Sequence, residues 1–407
     1  MVCWGKVERE SIEACCRDEG FDLAGIAAMP LEDEAAEDDR RFSEWIAAGR
    51  AGDMQWMQRT DESGALVRGS LQRAMPWARS VIVCALDYSH PAPLSIDPAP
   101  PSSGWIARYA WSGMALEGMG QPGPGNDEEA PVTADEFMRG ADYHDVLLPR
   151  LQKVEAVLHE RFGEALTTRC YVDTGPIVER SYAVRAGIGW TGKNTCVLNQ
   201  EQGSWLLLGV IITSAELAPE AWGLAAADRC GTCTRCLDAC PTDALIAPRQ
   251  MDASLCIAYL TIEKKGDIET SLREKMGRQV FGCDICQDVC PWNHKAAITA
   301  QQPSNEALPM RRELVNPALA WLASLTTEDF RTHFVGSPLE RTGRNRLLRN
   351  VAIAMGNSGD RAFAQQLTDL RQSPSDMVSE AAAWALETLG DSGTPKPEKV
   401  REGEGCN

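Results

Sequence analysis

The sequence predicts an α+β chain of several domains, on three observations. Apolar strand-length runs alternate with amphipathic helices in the first half, a dense cysteine module follows, and short Ala/Leu-rich helices close the chain. At 407 residues there is enough chain for two or three separate cores. The expected organisation is an α/β domain over residues 1–222 with a low-complexity insertion at about 91–138, a cysteine module over 223–300, a helical repeat over 301–392 and a disordered tail over 393–407.

The first 90 residues read as helices leading to one strand. SVIVCALDY (80–88) is rich in β-branched residues and bounded by turn formers, as a buried strand should be. Residues 91–104 (PAPLSIDPAPPSSG) and 118–136 (GMGQPGPGNDEEAPVTADE) are dominated by Pro, Gly, Ser and acid. Such segments bury too little apolar surface to offset their ordering entropy and read as surface insertions. Val146, Leu147, Leu151, Val154, Val157, Leu158 and Phe162 recur at helical spacing. Two strands follow, around 168–172 and 204–213, with the Gly-rich stretch RAGIGWTGKN between them. Beyond the cysteines, NRLLRNVAIAMGNSGD, AFAQQLTDLRQ and VSEAAAWALETLG read as short helical-repeat hairpins that lean on another domain.

Composition excludes several classes of protein. No apolar run approaches the roughly 18–20 residues of a membrane span. The N-terminus, MVCWGKVERESIEACC, has neither the basic-then-apolar pattern of a secretory signal nor a twin-arginine pair. A cytoplasmic protein is expected. The net charge of −18 argues against a general nucleic-acid coat. It leaves room for a local basic site, because fields fade within about 8–10 Å in salt. In a reducing compartment the fifteen cysteines do not read as a disulfide framework. Eight of them fall into tight motifs. For most of the other seven (Cys3, Cys15, Cys16, Cys84, Cys170, Cys196 and Cys406) buried inert thiols are expected.

The motifs point to iron–sulfur clusters. Cys230, Cys233, Cys236 and Cys240-Pro241 form the run of bacterial ferredoxins, in which three close thiolates wrap one cubane and the fourth serves the other. Cys256 and then Cys283, Cys286 and Cys290-Pro291 complete the set. Crossed ligation gives one cluster on Cys230, Cys233, Cys236 and Cys290 and another on Cys240, Cys256, Cys283 and Cys286. Zinc uses paired C-x2-C sites and has no need of three ligands in C-x2-C-x2-C followed by Cys-Pro. The 26 residues between Cys256 and Cys283 can hold a helix and a loop, so the module has structure added to a simple ferredoxin.

Upstream, Asp173 lies in YVDTGPIVER, at a strand end before Gly-Pro, where a turn-capping role is the plainer alternative. AGIGWTGKN lets backbone approach something closely. Asp142-Tyr143-His144 could be part of a ligand set, yet a lone His is more often structural. The next residues also lack the glycine of the D-x-H-x-x-G signature that supplies a cobalamin ligand.

Together these pieces resemble the epoxyqueuosine reductase family. The matching segments are MQWMQR (54–59), SVIVCALDY, RYA (108–110), GADYH (140–144), YVDTGPIVERSYAVRAGIGWTGKN (171–194), CGTCTRCLDACPTDAL, CIAYLTIE, FGCDICQDVCPWN and RTGRNRLLRNVAIAMGNSGD. They run through most of the chain in the family's order, and the cysteine spacing 3-3-4-16-27-3-4 agrees. The departure is that residues 111–139 stand where the family has a one-residue link.

The resemblance implies an α/β cobalamin-binding core of the nitroreductase and reductive-dehalogenase kind, a ferredoxin-like domain with two 4Fe–4S clusters, and a HEAT-like repeat. It implies reduction of the epoxide of epoxyqueuosine, at the wobble base of tRNA, to the alkene of queuosine. Two electrons and two protons are consumed and water leaves. Reduced cobalt is a reagent strong enough for the strained C–O bond, and low-potential clusters at roughly −400 mV suit its reduction. By resemblance Asp173 is the proton donor and a cobalamin contact. Arg59, Lys193, Asn194, Ala258, Asp284 and Ile285 are further cobalamin contacts. The same resemblance implies a tRNA partner, a low-potential donor such as flavodoxin or ferredoxin, and a monomer.

Residues 331–350 carry Arg331, Arg341, Arg344, Arg346 and Arg349 against Glu340, a local balance of +4. Positions 341, 344/345 and 348/349 share a helix face. That face could hold stem phosphates or could simply be solvated. The resemblance assigns it to RNA, and adds Arg180 and Lys265 at the mouth of the base pocket. Two other functions remain open from sequence, a corrinoid reductive dehalogenase acting on a small molecule and a non-catalytic electron carrier. The arginine-bearing repeat speaks against the first and the large upstream domain against the second.

Overall fold

The computed structural model describes residues 2–115, 138–223, 225–294 and 307–391. Its centre is a four-stranded antiparallel sheet in the order Leu23–Ala28, Ser80–Asp87, Leu206–Thr213, Thr168–Tyr171. Both faces of this sheet are covered, which is why residues 81–86 are continuously apolar. Ile82, Cys84 and Leu86 pack on one side with Ile12, Leu147, Leu151 and Val154. Val81, Val83 and Ala85 pack on the other with Ile177, Tyr182 and Ala183. The expected helix is Tyr143–Phe162, whose Leu147, Leu151, Val154 and Leu158 are buried. Val157 is a correction, since it is 42% exposed and faces solvent.

Strand Leu23–Ala28 was not expected. LAGIAA has little β-branched content, and pairing along residues 80–85 makes it a strand. Segment 91–104 is also a correction, because it is tied down. Gly104 N–H donates to Pro317 O at 2.9 Å, and the Arg278 guanidinium donates to Ser103 O at 2.9 Å and Ala99 O at 3.2 Å. Ser95 donates through N–H and Oγ to Asp288. Its backbone polar groups are satisfied by partners that composition does not reveal. The second expected insertion, 118–136, lies outside the described residues. Its stalk does not, because Gly113–Ala115 and Met138–Gly140 pair antiparallel.

The cysteine region is joined to this body by strand Gln279–Phe281, which runs parallel to Trp105–Ile106. Helix Gly343–Ser358 packs against Asp376–Asp391. One core unites Ile106 and Trp111 with Ile257, Leu260 and Phe281 and with Leu347, Val351 and Ala385. The C-terminal helices therefore do lean on the rest of the chain. No helix among the described residues is long and apolar enough to cross a membrane.

The arginine face is largely turned inward. Arg349 is 1% exposed. Its guanidinium donates to Leu260 O and Gly266 O at 2.6 Å and to Lys264 O at 3.0 Å. Arg346 donates to Ile262 O, Thr342 O and Arg341 O, each at 2.6 Å. Arg344 donates through Nε to Leu325 O at 2.7 Å. Arg349 is thus no phosphate contact, and Arg344 and Arg346 are partly taken up by carbonyls. The helix uses its cations to hold loop 260–266. Replacing Arg349 with Ala would strand these carbonyls in the core, at roughly 1–3 kcal/mol for an unpaired buried group. We expect Arg349→Ala to lower unfolding stability by about 2–4 kcal/mol, read by denaturant titration. A change within the scatter of wild-type curves would show that the clasp is dispensable.

Candidate active site and cluster module

The expected acid, Asp173, follows strand Thr168–Tyr171 and adopts a left-handed φ of 55°. This conformation is uncommon for a residue with a side chain and is tolerated best by Asp and Asn. The Tyr143 hydroxyl donates to its Oδ2. Burial, and then the charge of Asp173, push the Tyr143 hydroxyl well above the usual phenol range, so it stays a donor. Tyr143 begins its helix because Asp142 caps it by accepting from His144 N–H at 3.1 Å. Asp142 also bonds His144 Nδ1 at 2.7 Å and the Arg341 guanidinium. Burial raises Asp142, yet these partners outweigh it and its carboxyl lies below its ordinary value. His144 is therefore a structural histidine, and Arg341, the most exposed of the helix-face arginines, is anchored beside the Tyr143 ring at 5.7 Å.

Aromatic rings link this acid to the cysteine module. Tyr143 meets Tyr109 edge-on with centroids 6.0 Å apart, and Tyr109 meets Phe281 at 5.9 Å. Cys283 lies two residues beyond Phe281. Gly282, at φ 67°, makes the turn, and a Cβ there would lie 2.4 Å from the Cβ of Ala107. The Asp284 carboxylate is buried and accepts Arg108 N–H at 2.6 Å. Burial first, then Asp288, push it up to about 7.

The thiols gather in two sets. Cys236 is raised to about 11 by burial and then by the nearby Cys290, Cys230 and Cys233. Cys283 is raised by burial and then by Cys256, with Cys240 also within reach, and Cys286 feels Cys283 and Cys256. Thiols crowded in this way raise one another's proton affinity, a cost that metal binding removes by displacing the protons. Two cubanes fit this donor set, with four sulfurs apiece.

Lys193 and Asn194 both reach the cysteine loops. Lys193 Nζ donates to Gly231 O at 2.7 Å and Cys233 O at 2.8 Å, so it clamps the first cysteine loop. Asn194 Nδ2 donates to Cys286 O at 3.4 Å, and its Oδ1 accepts Cys196 N–H at 3.3 Å. The close approach expected of AGIGWTGKN is to the chain itself, since a Cβ on Gly189 would lie 2.1 Å from Leu198 O. Cys196 lies against the second thiol set. It hydrogen-bonds Cys286 and is drawn down to about 7 by that contact.

Arg180 is exposed and donates to Thr195 O at 3.1 Å. Lys265 is exposed on loop 260–266, and Ala258 and Ile285 are half-buried beside the second thiol set. Arg59 is exposed and lines a crevice with Asp61, Glu62 and Arg73. A cavity of about 790 Å³ opens among helix Glu32–Ala47, residues 68–72, helix Glu179–Arg185 and residues 248–251, lined by Phe42, Arg68, Val178, Arg180, Thr191 and Thr195 among others, and its lining includes neither Asp173 nor any of the eight motif cysteines. Two residues went unnoticed in the sequence. Arg68 stacks 4.8 Å from the centroid of the half-exposed Trp56 ring and donates to Ile177 O at 3.4 Å. Glu179, buried behind Asp173, gives no sequence signal beyond its closeness to VDTGP.

The Cys240→Ala variant tests the two thiol sets. It is expected to damage the cluster on Cys256, Cys283 and Cys286 and spare the one on its sequence neighbours. Iron content and spectroscopy after reconstitution should show one intact cubane, and selective loss of the Cys230–Cys233–Cys236 cluster would overturn the crossed arrangement.

Comparison with known proteins agrees with this geometry. Residues 229–293 match a family model described as a 4Fe–4S double cluster binding domain. Residues 68–113 and 129–174 match one described as epoxyqueuosine reductase QueG, DUF1730. The chain is 34% identical over 380 residues to an epoxyqueuosine reductase of Xanthomonas campestris pv. campestris, covering 93% of this chain and 95% of that protein. It is 39% identical over 330 residues to one of Synechocystis sp., covering 80% of this chain and 98% of that protein. Among solved structures it resembles an epoxyqueuosine reductase with an epoxyqueuosine-modified tRNA-Tyr stem loop, at 27% identity and a TM-score of 0.74, covering 94% of this chain and 90% of that one. With its paired thiol sets, its VDTGP acid loop and relatives matched over nearly their full lengths, this chain belongs to the epoxyqueuosine reductase family.

Proposed function

We propose that this protein reduces epoxyqueuosine to queuosine at the wobble position of tRNA anticodons, with cobalamin and two 4Fe–4S clusters as its redox groups. The observation that carries the reading is the placement of Asp173. It hangs from Tyr143 at the end of a ring chain that starts beside the second thiol set. When bound, the cobalamin, reduced through the clusters, supplies the low-potential electrons that break the C–O bond.

The remaining steps belong to this chain's side chains. Asp173 gives a proton to the oxygen that leaves, and the Tyr143 hydroxyl orients its carboxyl. The cavity lined by Arg68, Val178 and Arg180 has room for a large ligand. Arg59, Ala258 and Ile285 are assigned to the cobalamin by family resemblance. Lys193, Asn194 and Asp284 serve it indirectly, by holding the cysteine loops. Arg180, Lys265 and Arg341 are the cations assigned to the RNA. Bases that undergo chemistry are drawn out of the stack into such pockets.

Further parts of the reading rest on family kinship. They are the domain limits near residues 222, 300 and 392, a core related to reductive dehalogenases and nitroreductases, and a HEAT-like repeat. A flavodoxin or ferredoxin donor, a monomeric state and a cytoplasmic location belong to the same reading. The direct test of function is nucleoside mass analysis of modified tRNA incubated with the reduced enzyme, where epoxyqueuosine should disappear as queuosine forms. Asp173→Asn should keep iron, cobalamin and tRNA binding while turnover falls by about 10² or more. Wild-type turnover at saturating tRNA would exclude Asp173 as the obligatory acid.

A further inference from the structure

We propose that Glu179 is a positioning residue that stores a proton for Asp173 and delivers it during turnover; this rests on the reading of Asp173 as the acid. The reaction consumes two protons for each epoxide, and one carboxyl carries one. A second source is needed at a moment when the substrate covers the acid loop and restricts water.

Glu179 opens helix Glu179–Arg185, six residues after Asp173, and is 8% exposed. Its Oε1 is fully buried without a hydrogen-bond partner. A carboxylate kept for architecture has its oxygens satisfied, because an unpaired buried charge is costly. Apolar Ile177, Tyr182 and Ala183 pack around the start of this helix. The charged groups within reach are Asp173, Arg68 and Arg180. Arg68 does not close a hydrogen-bonded pair with Glu179, since its guanidinium lies over Trp56 and donates to Ile177 O at 3.4 Å.

Burial, followed at a distance by the charge of Asp173, pushes Glu179 up to about 7, against its own backbone N–H, Arg68 and Arg180. Near neutral pH the group therefore holds a proton that it can release. The proton balance is simple. Asp173 protonates the reacting oxygen and becomes a carboxylate. The Glu179 carboxyl, whose Oε1 has no hydrogen-bond partner, passes its proton to that carboxylate through water, and the second proton reaches the substrate through Asp173. Asp173 and Glu179 have then each lost one proton, both are reprotonated from solvent after product leaves, and no electron moves in the transfer.

The test compares Glu179→Gln, Glu179→Asp and Asp173→Asn, all as reconstituted enzyme with modified tRNA. The amide keeps the shape and removes the acidic proton. For wild type, kcat should fall as pH rises through about 7, because the protonated form is the useful one. Glu179→Gln should lower kcat roughly tenfold or more at neutral pH, leave KM for tRNA unchanged and abolish the limb near 7. Glu179→Asp should restore part of that limb, and it covers the case in which the Gln variant folds poorly. A Glu179→Gln enzyme with wild-type kcat and pH profile, alongside an inactive Asp173→Asn, would overturn the Glu179 proposal and leave the acid intact. A Glu179→Gln enzyme whose kcat drops while the limb stays would overturn it equally. An active Asp173→Asn would sink both.

Discussion

The contact on which the site depends is the hydrogen bond from Arg108 N–H to the Asp284 carboxylate, 2.6 Å long and buried on both sides. It seats the second cysteine loop on the α/β body. Part of the cost of burying that carboxylate is offset by the Arg108 N–H and the Arg108 charge. The Arg108 side chain lies over Trp111 at 4.7 Å and Trp205 at 5.0 Å and donates to His90 O at 2.5 Å. Burial and Arg108 together draw His90 down to about 4, so it remains neutral and adds no second cation. Asp288, which accepts from Ser95, completes a polar knot inside an otherwise apolar region. Such networks are worth most when every member is bonded, and in this one Arg108 Nε, His90 Nδ1 and Asp288 Oδ1 are buried without a partner. Here the knot fixes Phe281 against Tyr109, and so fixes the distance between the thiol sets and Asp173.

Much of this was legible in the sequence because the signals are local. The strand at 80–87, the helix from Tyr143 and the grouping of eight cysteines each follow from spacing within a few dozen residues. The errors share a different cause. LAGIAA is a strand only because residues 80–85 pair with it. Segment 91–104 is ordered only because Arg278, Asp288 and Pro317 meet it from more than 170 residues away. Glu179 matters because a fold, not a motif, places it behind Asp173. Composition reports what a segment can do alone, and these segments are not alone.

The arginines make the same point for electrostatics. A +4 cluster in the sequence looks like a phosphate site until its partners are counted. Arg349 is held by three carbonyls in the core and is lowered to about 10 by burial, which marks a structural cation. A helix that fastens loop 260–266 in this way fixes where Lys265 stands. On the reading that assigns Lys265 to RNA, inward arginines serve that binding indirectly, by holding the outward lysine in place. For a chain of −18, attraction to a polyanion has to arise within about one Debye length of 8–10 Å. A few well-held cations near the acid loop are worth more than a larger mobile set.

The insertion after Ala115 shows how a family fold absorbs extra chain beside its active site. The family-model match breaks between residues 113 and 129, and the two flanks meet as paired strands. Ser112 Oγ donates to Ala141 O at 2.9 Å, Ala141 N–H donates to Ser112 O at 3.2 Å, and Gly113 N–H donates to Pro309 O at 2.8 Å. These bonds close the stalk one residue before Asp142 and two before Tyr143. Once a stalk is closed, lengthening what it carries costs little, about 0.6 kcal/mol for each doubling of loop length. The geometry that Tyr143 needs in order to hold Asp173 is therefore set below the insertion. The paired strands at its base are what hold Tyr143 in register with Asp173.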